Sequence, residues 1–204
     1  RGARACERGG GGEGPGRGET EQEQGAAERV DAALQRFRSP RIDDRGLPIA
    51  DALVCGWMVP CSLAIGTLIL RLPPPMWLTP ALGVTNARAL TYLPAILSHG
   101  AQLAICWTAG ALACRAFERE RYAGDRALGT AIRAGAVATG LLVLATQLKL
   151  SAVLGVYPVL ATYELEPGSA EDLLLGNTQG ELVVDIIAEA GAMMLWRSYR
   201  GGLP

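Results

Sequence analysis

Two stretches of this chain carry no charged residue, and a third carries one, for a length that only one environment favours. Ala52–Leu70 is 19 residues long, bounded by Asp51 and Arg71. Ala89–Cys114 is 26 residues long and ends at a charged run, Arg115–Arg126. A third block runs from about Ala127 to Leu148, with Arg133 near its start and Lys149 at its far end. A helix rises 1.5 Å per residue, so about 20 apolar residues cross a hydrocarbon core of roughly 30 Å. Soluble cores instead show apolar residues at period 2 or 3.6, interleaved with polar ones. The blocks therefore predict membrane-spanning helices at about 52–70, 91–114 and 127–149. Pro60 should kink the first, a break that neighbouring helices can absorb in lipid. Pro73, Pro74 and Pro75 should stop it, with Trp77 as an interfacial anchor. Pro94 places the regular start of the second helix near residue 91.

A fourth block, Gly180–Tyr199, is less hydrophobic. It holds Glu181, Asp185 and Glu189 at i, i+4 and i+8, within one arc of a helix. Its eight large aliphatic and methionine side chains contribute about −0.3 to −0.6 kcal/mol each to insertion. A central carboxylate costs about 2.5 to 3.5 kcal/mol. The sums nearly cancel, so 180–198 is a marginal span, and an amphipathic helix in the interface plane competes with it. Between the third and fourth blocks, 150–163 is apolar but too short to cross and carries Pro158, which suits a re-entrant or interfacial segment. Glu164–Asp172 reads as an acidic loop.

The basic residues test the count. With four spans, Arg36, Arg38, Arg41, Arg45, Arg115, Arg119, Arg121, Arg126, Arg133, Arg197 and Arg200 share one side, and Arg71, Arg88 and Lys149 the other, a split of 11 to 3. That asymmetry favours four crossings with both termini on the cytoplasmic, stromal or matrix side. Ahead of the spans, residues 1–25 are rich in Gly, Glu and Arg and are expected to be disordered. Residues 26–38 place Val30, Leu34 and Phe37 on one face and predict a short amphipathic helix, ended by Pro40. The chain starts at Arg1, which suggests a processed or incomplete form, and 1–25 lacks the apolar region of a secretory signal. The fold class is thus an all-α membrane protein: a bundle of four transmembrane helices in a domain covering 50–199, three of them strongly apolar and the fourth marginal.

Function is less legible. Net charge is −1, with no pull towards nucleic acid. The five cysteines, Cys6, Cys55, Cys61, Cys106 and Cys114, form no Cys-x-x-Cys or zinc spacing, so no metal site is expected and no cofactor can be named. No hydrolase signature and no phosphate-binding loop occurs, and no catalytic residue is assigned. Intramembrane carboxylates are costly and usually face a cavity or partner, which makes Glu181, Asp185 and Glu189 candidates for an ion or proton path or a partner contact. His99 is the only histidine and begins on the same side as Glu181, so a His99–Glu181 or His99–Asp185 contact is geometrically open. Ala131, Gly135 and Thr139 recur every four residues as a helix-packing face. Trp57, Trp77, Trp107 and Trp196 read as interface anchors or packing residues.

Three functional expectations follow. The first is a non-catalytic accessory or assembly subunit of a larger membrane complex, in an organelle inner membrane, partnered by lipid and by other membrane subunits. The second is a small proton- or cation-coupled transporter using the acidic stripe. A redox enzyme using Cys55/Cys61 or Cys106/Cys114 ranks third, because each pair would need a further helix to complete a site.

Overall fold

A computed structural model describes residues 35, 38–71, 74–78, 92–154 and 168–202. The chain divides into two units, Arg1–Ser39 and Pro40–Pro204. In the first, residues 35 and 38 are helical, and the Ser39 amide donates to the Gln35 carbonyl at 3.1 Å. The expected tail 1–25 and all but the end of the expected helix 26–38 lie outside the described residues.

Every regular element among the described residues of the second unit is a helix. Its first long helix is built in three parts: α1 (Gly46–Leu53), a π-helical turn (Val54–Met58) and α2 (Val59–Leu70). Pro60 explains the interruption. It has no N–H to give, and its ring crowds the preceding turn, so the helix widens just ahead of it. Arg71 then takes the left-handed conformation, with φ 53°, and ends the helix. α3 (Leu93–Ala113) starts with Pro94 in its first turn, where a missing N–H costs nothing. It closes in a Schellman motif: Arg115 is left-handed, the Ala116 amide reaches the Ala111 carbonyl at 2.8 Å, and the Arg115 amide reaches Leu112 at 3.1 Å. A single turn, α4 (Arg119–Tyr122), leads to α5 (Arg126–Leu154) and then α6 (Ala170–Gly201).

Among the described residues, three helices are long and apolar enough to cross a membrane: Gly46–Thr67, Leu93–Ala113 and Arg126–Ala152. The described residues are therefore those of an all-helical protein of integral-membrane type. The observed helices extend beyond the apolar blocks at several ends. The first starts at Gly46 rather than after Asp51, α5 continues through Leu150 to Leu154, and α6 starts at Ala170. Of the expected interfacial segment 150–163, residues 155–163 lie outside the described residues.

Contacts between helix ends give the run of the chain. Asp44 meets Arg200 at 3.1 Å, and the Gly124 amide donates to Gly201 at 3.1 Å. The start of α1, the α3–α5 connection and the end of α6 thus lie together at one end. At the other, Lys149 donates to Gln102, and Glu181 accepts from the Met76 amide. Successive long helices therefore run in alternating directions.

Small residues bring the helices close. Gly100 of α3 lies directly on the Gly56 carbonyl, where any Cβ would overlap that backbone. Gly110 lies on α5, and a Cβ there would stand 2.9 Å from the Ala138 amide nitrogen. The buried seam of α5 is Ala127, Ala131, Ala134, Ala138 and Leu142. Ala131 of the expected packing face belongs to it. Gly135 and Thr139 sit half-buried on its flank, with Gly135 against the Trp107 ring.

Candidate functional site

Three charged residues of α6 point inward. Asp185 and Glu189 are each 5% exposed and Arg197 2%, whereas Val183, Ile187 and Leu195 are 55%, 67% and 76% exposed. A water-soluble amphipathic helix has the opposite arrangement. At about 6 Å per four residues, Glu181, Asp185, Glu189 and Arg197 form a polar column roughly 24 Å long.

Asp51 anchors the end of the column near the Arg-rich connection. It was expected to lie just outside the first span, but it sits within α1 and is fully buried. Its Oδ2 accepts from Trp107 Nε1 at 2.9 Å and from Arg197 Nη2, and its Oδ1 accepts from Trp196 Nε1 at 2.8 Å. Arg197 Nη1 donates to the Ala116 carbonyl at 2.9 Å, which the Schellman turn directs towards it. The guanidinium also lies 5.4 Å from the Phe117 ring centroid. Buried charges persist only when paired and hydrogen-bonded, and here both partners are. Trp107 and Trp196, read from sequence as anchors or packing residues, are the indole donors of this cluster. Arg197, read as a marker of the polar side, is its cation.

A surface layer covers that end. Asp43 accepts from the Arg119 amide at 2.7 Å and pairs with Arg41 at 3.1 Å. The Arg119 amide, and then Arg41, hold the Asp43 carboxyl below its ordinary value. Asp44 is likewise held low, first by the Gly46 amide and then by Arg200. Arg200 also lies 5.8 Å from the Tyr122 ring.

Nearer the opposite end, His99 Nε2 stands 3.2 Å from Asp185 Oδ1, and both side chains are buried. Trp77 stacks on the imidazole, with centroids 4.5 Å apart and planes within 6°. Trp77, expected as an interfacial anchor, thus packs on a site residue. Asp185 also borders a cavity of about 950 Å³ with Glu181, Ser62, Thr67 and Asn177 as further polar walls and Leu63, Met76 and Val184 as apolar ones. The structure therefore brings His99 to Asp185 and puts Glu181 on the same cavity. Glu189 lies deeper. The Cys55 thiol faces it, and its Oε1 has no hydrogen-bond partner among the described residues.

Among the described residues, no group of three His, Cys, Asp or Glu side chains is arranged to hold a metal ion. The sequence reading missed Asp51, Arg197, Trp107 and Trp196 as one cluster. The available signal was an acidic residue at the edge of the first span and a basic one at the edge of the last. Comparison with known proteins returns no match: no family model, no curated protein and no solved structure is similar to this chain.

Proposed function

We propose that this protein is a small proton- or cation-coupled transporter of an organelle inner membrane and that α6 is its fourth crossing. The observation that carries the reading is the orientation of α6: carboxylates buried against other helices and bordering a cavity, aliphatic side chains outermost. That polarity lowers the cost of inserting three acidic residues, because lipid meets only the apolar face. The length from Glu181 to Arg197 is about 24 Å of helix, close to the hydrocarbon thickness. With the Arg-rich connection and both ends of the helical unit together, the positive-inside rule puts them on the cytoplasmic, stromal or matrix side. On this reading Glu181 and Asp185 receive the cation or proton from the cavity, and the Asp51–Arg197 cluster closes the other end.

The test is flux in vesicles reconstituted with the full chain and a pH-sensitive dye. An imposed gradient should drive proton movement, either alone or with an added monovalent cation. Combining Asp185→Asn with Glu189→Gln should cut the rate at least tenfold. Unchanged flux in the double variant refutes the path. If the same variant instead alters only which membrane subunits co-purify, the accessory-subunit reading replaces it.

A further inference from the structure

Asp51 and Glu189 are two buried carboxylates with opposite surroundings. Asp51 is met by a guanidinium and two indole N–H groups. Among the described residues, no cation meets Glu189. The groups that face it from the packed helices are the Cys55 thiol and Cys106 of α3, with Asp185 on its own helix. Arg197, two turns away on α6, is committed to Asp51 and Ala116. The charged residues of α5 within the span, Arg133 and Lys149, are exposed. An ionised carboxylate has only acceptor oxygens, and one of those on Glu189 is buried without a donor. A protein can support a buried charge by pairing it, as at Asp51, or can avoid it by binding a proton.

We propose that Glu189 is a proton-binding site, occupied at rest, whose proton exchanges only through the Asp185 side. The reason for the direction is steric and electrostatic. Towards the Arg-rich end, the Asp51 oxygens are already taken by Arg197 and two indoles, and Trp107, Trp196 and Phe117 fill the space. Towards the other end, one helical turn away, Asp185, which meets His99, adjoins the 950 Å³ cavity. In the exchange step the Glu189 O–H bond breaks, the proton passes to an acceptor on the Asp185 side, and a carboxylate remains until the proton returns. No electron transfer or other bond change is needed. As the storage step of a transport path the proposal rests on the reading above. The site itself is detected without any flux.

The experiment is infrared spectroscopy of the full chain in lipid vesicles at neutral pH. The wild type should show the carbonyl stretch of a protonated carboxylic acid, and Glu189→Gln should remove it while leaving the helical amide bands and the melting temperature unchanged. Asp185→Asn should keep the band and slow its loss on a jump to alkaline pH at least tenfold. An independent, variant-free measurement is labelling of the wild type with a lipid-soluble carbodiimide, which adds to protonated carboxyls and should map to Glu189. A band that persists in Glu189→Gln overturns the proposal. So does labelling confined to Glu181 or Asp185. A Glu189 band without proton flux keeps the site and sinks the transport reading; flux without the band does the reverse.

Discussion

Asp51→Asn is the most informative single change, because it preserves shape and removes only charge. Asp51 is fully buried and compensates a guanidinium that is itself 2% exposed. Breaking a buried ion pair from one side costs about 3–5 kcal/mol, since the remaining charge is stranded. The amide can still accept one indole proton, but its NH₂ turns a donor towards the donors of Arg197 or of a tryptophan. We therefore expect a loss of 3–5 kcal/mol for Asp51→Asn, in the upper part of that range. Arg197→Met should cost a comparable amount, because Asp51 then keeps only the two indoles. The double variant should be less damaged than the sum of the singles by at least about 2 kcal/mol, the signature of residues that share one network. It should not return to wild type, because at least one indole donor loses its acceptor at about 1–3 kcal/mol. The assay is reversible unfolding in mixed micelles, followed by the fluorescence of Trp107 and Trp196. Additivity of the two single changes, or a loss under 1 kcal/mol for Asp51→Asn, refutes the buried-pair argument.

Two further outcomes follow from local geometry. Gly100→Ala puts a methyl group into the Gly56 backbone and should cost about 1–3 kcal/mol, whereas Gly140→Ala, with nothing within 4 Å of the new Cβ, should stabilise by about 0.5–1 kcal/mol; chemical unfolding of both variants compares them. At the Arg-rich end, Asp43 and Asp44 have folded-state values below the ordinary 3.8, so their stabilisation is complete above that pH and is lost as pH falls through the lower folded values. Melting temperature measured against pH should show an acid limb below 3.8, made shallower by Asp44→Asn.

The three strongly apolar helices were legible because a run without charge is a statement about solvent that needs no tertiary information. The α6 stripe was legible as a pattern, but its direction was not. In water an acidic stripe marks the outside of a helix, and in lipid it marks the inside, so period alone does not choose. The Asp51–Arg197 pair joins residues 146 positions apart, each at the edge of an apolar block, where charge is ordinarily read as a boundary. On α5 the small residues recur in steps of both three and four, so any fixed step of four departs from the true seam: Ala131, Ala134 and Ala138 are buried, while Gly135 and Thr139 flank them. What selects the seam is Gly110 on the facing helix, which periodicity within α5 cannot reveal.

The π-helical turn at Val54–Met58 makes the length of the first helix a matter of single residues. Asp51, Cys55 and Val59 are 0%, 0% and 3% exposed, an almost straight row at i, i+4 and i+8. In an unbroken α-helix such a row drifts by about 40° per step. The wider turn takes up that drift and aims Asp51 at Arg197 while Val59 still faces the interior. Loss of one codon between Val54 and Met58 would leave a chain just as hydrophobic, inserting just as readily. Its carboxylate, however, would be swung by about 100° into the acyl chains, with its arginine left facing empty protein. Tolerance to substitution and tolerance to deletion should therefore part company at these five positions.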